Sequence, residues 1–175
     1  MKTILKALRI LNEGLTRLAM TVGLTIVGIM VVALTASAAT RFVSGQGYDW
    51  LIELPPALVP WLVFPLLGPL LRSGQHIQVD LLPALIGPDA KRVLMLVCYA
   101  IAFGASIIFL IAGGEAVALF RRLGQLMELE IEVPIWWMYL AFPVGFTMLA
   151  SFSLELFLET ANEIVGQRDA EKSLT

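Results

Sequence analysis

The sequence predicts an all-α integral membrane protein, with four transmembrane helices, both termini cytoplasmic, and a short interfacial helix between the second and third spans. Three observations predict it. Of the 175 residues, 58% are hydrophobic and 15% charged, where an average soluble domain carries roughly 25% charged residues; the mean hydropathy is +0.84. The chain also divides into four apolar runs, at about 18–40, 51–72, 91–120 and 135–158, and ~20 apolar residues suffice to cross ~30 Å of hydrocarbon. Finally, the basic residues segregate. With the N-terminus inside, Lys2, Lys6, Arg9, Arg17, Arg72, Lys91, Arg92, Arg168 and Lys172 fall on the cytoplasmic side, and Arg41, Arg121 and Arg122 fall outside, which is the positive-inside pattern. The whole chain, 1–175, reads as one membrane domain.

Residues 1–17 place Lys2, Lys6, Arg9, Glu13 and Arg17 among Ile4, Leu8, Leu11 and Leu15, the spacing of one apolar helical face. Two readings stay open: a basic amphipathic helix on an anionic leaflet, or the start of the first spanning helix. No charge interrupts Leu18 to Ala39. Along that run Thr21, Thr25, Gly28, Val32, Thr35 and Ala39 form a stripe of mostly small residues, which lets helix backbones approach closely in lipid. Ala36-Ser37-Ala38 imitates a signal-peptidase site, but the apolar core is longer than that of a signal peptide, so the helix is expected to remain uncleaved.

Arg41 to Trp50 reads as a polar connection. The second span carries Pro55, Pro56, Pro60, Pro65 and Pro69. A helix remains its expected form, because in lipid every backbone polar group must be satisfied within the protein. The steps of four, five and four residues from Pro56 onward are expected to keep the rings roughly on one side of a bent helix. Arg72 falls in its last turn, where a cation suits the helix dipole, and Gly74 suits the stop. Asp80 suits an N-cap for the short segment Leu81 to Ile86, which Gly87-Pro88 then breaks. The third span holds one acid, Glu115, and the fourth holds Glu155, each near an end. Trp136, Trp137 and Tyr139 open the fourth span, and Tyr48 and Trp50 precede the second, as aromatic belts do. Between the third and fourth spans, Glu128, Glu130 and Glu132 alternate with apolar residues in an acidic, extended-looking loop.

Several functions are excluded or weakened. A single cysteine, Cys98, allows no internal disulfide or cysteine metal cluster, and a single histidine, His76, allows no bis-histidine haem site. There is no Walker A motif and no basic patch with interleaved aromatics, so neither ATP hydrolysis nor nucleic-acid binding is expected. No charge lies at the centre of a span, where charges mark ion or substrate paths. An enzyme reading is weak, and no cofactor is expected in this chain.

The run from Trp61 through Leu82 contains Leu67-Gly68, Leu71-Arg72, Gly74, His76-Ile77 and Val79-Asp80-Leu81. It resembles the signature of the small membrane subunit of TRAP transporters, the DctQ-like family. Val133-Pro134-Ile135-Trp136-Trp137-Met138-Tyr139, followed by Pro143-Val144-Gly145-Phe146, is similar to that family's second recurrent block. The resemblance implies a tripartite, ATP-independent importer of the bacterial inner membrane. In such an importer a periplasmic solute-binding protein delivers an organic acid to a two-part permease. The large permease subunit is expected to hold the substrate and sodium sites and to move in an elevator-like manner, while the small subunit packs on its static scaffold and helps to dock the binding protein. Arg72, Gly74, His76, Asp80, Trp136 and Trp137 are then candidate structural or partner contacts, and Glu128, Glu130 and Glu132 a candidate docking loop. Two other readings remain: the small subunit of another tripartite importer, such as the tricarboxylate type, and a self-contained small carrier. The string from Arg72 to Asp80 favours the TRAP type.

Overall fold

A computed structural model describes residues 2–73, 87–127 and 132–172. Among them the protein is helical, and four stretches are long and apolar enough to cross a membrane: Thr3–Ser44, Trp50–Arg72, Ala90–Leu123 and Ile135–Val165. The interfacial helix expected over 81–86 lies outside the described residues.

The first helix, α1, runs unbroken from Lys2 to Ser44. The basic stretch and the first span are therefore one rod of ~65 Å at 1.5 Å per residue. Asn12, Ala19, Ile26 and Ala33 are buried along it at intervals of seven, and Gly23 and Ser37 are buried between and beyond them. That repeat is the seam of a helix packed at a shallow angle against its neighbours. The small-residue stripe through Thr25, Gly28 and Val32 is not this seam, since all six of its residues are exposed. The reason is angular: the stripe's frame lies two residues, or about 200°, from the heptad frame of Ala19 and Ile26. Gly45, at φ 70°, ends the helix, and its N–H donates to the Arg41 carbonyl at 3.1 Å.

The second span is built from three pieces on one path: α2 (Trp50–Val63), a 3₁₀ turn (Phe64–Leu66) and α3 (Leu67–Arg72). The prolines do not share one side. Pro65 and Pro69 are buried while Pro56 is exposed and Pro60 half-buried, because the step of five residues from Pro60 to Pro65 turns the helix by about 140°. The 3₁₀ turn falls at Pro65, which has no N–H to continue an α ladder.

Pro88 begins α4 (Pro88–Leu123), and Gly124 at φ 62° closes it. The fourth span is also stepped, into α5 (Ile135–Tyr139) and α6 (Ala141–Lys172). Pro143 cannot donate to the Tyr139 carbonyl four residues back, and the helix breaks between them. Past residue 158 the chain continues as helix to Lys172. On either side of the acidic loop the backbone pairs antiparallel, with Met127 N–H donating to the Val133 carbonyl (2.8 Å) and Ile135 N–H to the Gln125 carbonyl (3.0 Å).

The core lies where α1, the 3₁₀ turn and α6 meet. Ala19, Met148 and Phe152 are buried there, with Leu15 and Leu66 against them. Two glycines set the spacing. A Cβ on Gly68 would lie 2.6 Å from the Phe152 ring, and one on Gly145 would lie 2.5 Å from the Phe64 carbonyl oxygen. An aromatic series joins the other elements: Phe120 stacks on Tyr139 (4.3 Å), Tyr139 on Phe142 (5.9 Å), and Phe142 meets Phe64 (4.0 Å). Gly145→Leu is expected to destabilise the bundle by about 1–3 kcal/mol, the usual cost of overpacking, read as a lowered unfolding midpoint in detergent micelles; an unchanged midpoint would refute the close approach.

Candidate functional site

The most concentrated polar chemistry among the described residues sits at the end of the bundle that carries both termini. Asn12, near the start of α1, and Glu155, midway along α6, are each fully buried. Asn12 Nδ2 donates to Glu155 Oε2 (2.5 Å) and to the Ser151 carbonyl (3.3 Å), while Ser151 Oγ donates to Asn12 Oδ1 (2.7 Å). Ser151 and Glu155 are four residues apart, so they lie one above the other on α6 and grip the same amide. Thr16 Oγ1 donates to the Asn12 carbonyl at 2.8 Å.

Arg72, in the last turn of α3, completes the cluster. Its Nη2 lies 3.5 Å from Glu155 Oε1 and 3.7 Å from Glu13 Oε1, and Glu13 in turn lies 3.6 Å from Arg9 Nε. Glu155 Oε1 is buried and accepts no hydrogen bond among the described residues, so Arg72 is the charge that balances it. Removing water from a carboxylate costs several kcal/mol, which an opposite charge at short range offsets. Three helices are thereby tied: α1 through Asn12 and Glu13, α3 through Arg72, and α6 through Ser151 and Glu155. An open cavity of about 340 Å³ adjoins the cluster, lined by Glu13, Thr16, Arg17, Pro69, Arg72 and Ser73.

The cluster works as a clamp between helices. Both carboxylate oxygens of Glu155 face a partner, Oε2 the Asn12 amide and Oε1 the Arg72 guanidinium. Along the spans, hydroxyls are turned back on their own helices: Ser106 donates to the Ala102 carbonyl, Ser153 to Leu149, Thr21 to Arg17 and Thr25 to Thr21.

Of the residues singled out in the sequence, the structure brings Arg72 into this cluster. Trp136 and Trp137 lie at the opposite end of the bundle. Arg121 sits 5.8 Å over the Trp136 ring; the Trp61 indole N–H donates to the Trp137 carbonyl (3.1 Å), with the two rings 6.1 Å apart. These contacts join α5 to α4 and α2. Glu132 is exposed. Gly74, His76, Asp80, Glu128 and Glu130 lie outside the described residues.

A model of the DctQ component of tripartite ATP-independent periplasmic transporters matches residues 30–163. The chain belongs to the DctQ family. This DctQ protein is therefore a multi-pass membrane component of a transporter, from a family of permease subunits and not of enzymes. No curated protein matches it closely. The matched range holds Arg72 and Glu155, whereas Asn12 and Glu13 precede it.

Sequence reasoning missed Asn12, Glu13, Ser151 and Glu155 as a group. Two signals were available. Asn12 is the one amide on a seven-residue repeat otherwise made of Ala19, Ile26 and Ala33, and Glu155 is the one acid in the last apolar run. Arg72→Ala is expected to destabilise the protein by about 3–5 kcal/mol, because it strands a buried carboxylate. Arg72→Ala combined with Glu155→Leu should recover much of that loss, as measured by a double-mutant cycle on detergent unfolding; additive losses would show that the pair is not coupled.

Proposed function

We propose that this DctQ protein is the small permease subunit of a TRAP transporter in a bacterial inner membrane, that it packs against a large permease subunit, and that it supports sodium-coupled uptake of an organic acid delivered by a periplasmic binding protein. The family match over most of the chain carries this reading. The disposition of polar groups supports it: the buried charges serve to clamp helices at one end, and the span hydroxyls named above bond to their own helices. In this reading the sodium site belongs to the large subunit.

In this reading both termini and the Arg72–Glu155 clamp face the cytoplasm, since that orientation puts the majority of basic residues inside. The aromatic end, with Tyr48, Trp50, Trp136, Trp137 and the acidic loop, then faces the periplasm, where a binding protein arrives. Reconstituted without the large subunit, the chain is expected to move no organic acid into liposomes; sodium-driven uptake by the isolated chain would overturn the reading. Reversing the charge of Glu128, Glu130 and Glu132 together is expected to slow uptake at limiting binding protein and to leave it unaffected at saturation, and identical kinetics at both concentrations would remove the loop from docking.

A further inference from the structure

One face of α4 is left exposed by the other described residues. Val93, Val97, Ile108 and Ile111 stand between 48% and 67% exposed on it, and a Cβ added to Gly104 would meet no atom within 4 Å. At 100° per residue these positions lie within about 40° of one line, and Glu115 and Ala118 fall on the same line. The opposite side of α4 carries Ser106, which is buried, and Gly113, whose Cβ would press on Pro143 of α6 at 3.2 Å. The exposed stripe therefore points directly away from the bundle.

Glu115 is out of place on such a surface. It is exposed, and no ion pair among the described residues includes it. Phe120, five residues nearer the helix end, stacks on Tyr139 of the aromatic belt, which puts Glu115 about 7 Å deeper than the belt. Charged side chains at such depth are kept where they pair, because hydrocarbon gives them no solvation. Its surroundings suit a helix and not lipid alone: Gly104, Gly114 and Ala118 leave the backbone open to close approach, with Ile108 and Ile111 between them to interdigitate.

Resting on the permease reading above, we propose that this face of α4 is the docking surface for a transmembrane helix of the large permease subunit, and that Glu115 there receives a lysine or arginine carried by that helix at the same depth. The occupant is defined by charge complementarity. Glu115 lies on an apolar stripe two turns short of the exposed Arg122 at the helix end, so it selects a partner helix with a basic residue at its own depth in an otherwise apolar face. A second copy of the same stripe, which would set Glu115 against Glu115 and Arg122 against Arg122, is disfavoured.

The test co-expresses the tagged chain with the large permease subunit, extracts both in mild detergent and measures the ratio recovered. Glu115→Leu is expected to lower recovery of the large subunit about threefold or more, the effect of an interhelical polar pair. The same variant alone should unfold at an unchanged or higher temperature, since leucine suits lipid. Glu115→Lys should lower recovery further. In a Cys98→Ser background, Ile108→Cys or Ile111→Cys should form a disulfide with a cysteine scanned along the large subunit. Unchanged recovery in both Glu115 variants, or crosslinks only between two copies of this chain, would overturn the docking face while leaving the permease reading intact. Failure of the unaltered chain to recover any large subunit would overturn both.

Discussion

The fold depends on one carboxylate. Glu155 has no access to solvent and lies on a helix that also packs through apolar residues, among them Phe152, Met148, Gly145 and Phe142. A buried acid of this kind is stable only with a counter-charge and a hydrogen-bond donor, and these come from different helices, Arg72 on α3 and Asn12 on α1. The demand of a single side chain therefore fixes where three helices meet. Apolar packing in lipid lacks the hydrophobic drive that specifies soluble cores, so a polar point of this kind supplies directional information that Ala19, Ile26 and Ala33 cannot.

The two proline breaks work with that point. The 3₁₀ turn at Phe64–Leu66 and the break before Pro143 lie against one another, with Gly145 under the Phe64 carbonyl and Phe142 against the Phe64 ring. Each interrupted helix fills the irregularity of the other. The break at Pro65 is thus accommodated by a neighbour whose own backbone is stepped at the same level, as expected where freed backbone groups must be sheltered inside protein.

Much of this was legible in the sequence. The four spans follow from run length and charge, and the family from the lettering around Arg72 and around Trp136. Three features were not legible, each for a physical reason. The continuity of α1 was hidden because amphipathic and spanning patterns share a period. The opposite placement of Pro56 and Pro65 was hidden by a five-residue step that looks nearly regular on paper and is not at 3.6 residues per turn. The clamp was hidden because Asn12 and Glu155 are 143 positions apart, and nothing local tells a buried acid from one at an interface.

The seven-residue seam of α1 has a last consequence. Ala19, Ile26 and Ala33 are similar enough that sliding the helix by one repeat, ~10 Å along its axis, would still present apolar groups to α2 and α6. Asn12 has no counterpart one repeat along. A slide would leave the amide among apolar neighbours and the Glu155 carboxylate without its donor, so a single polar position turns a periodic and ambiguous surface into one with a unique vertical register.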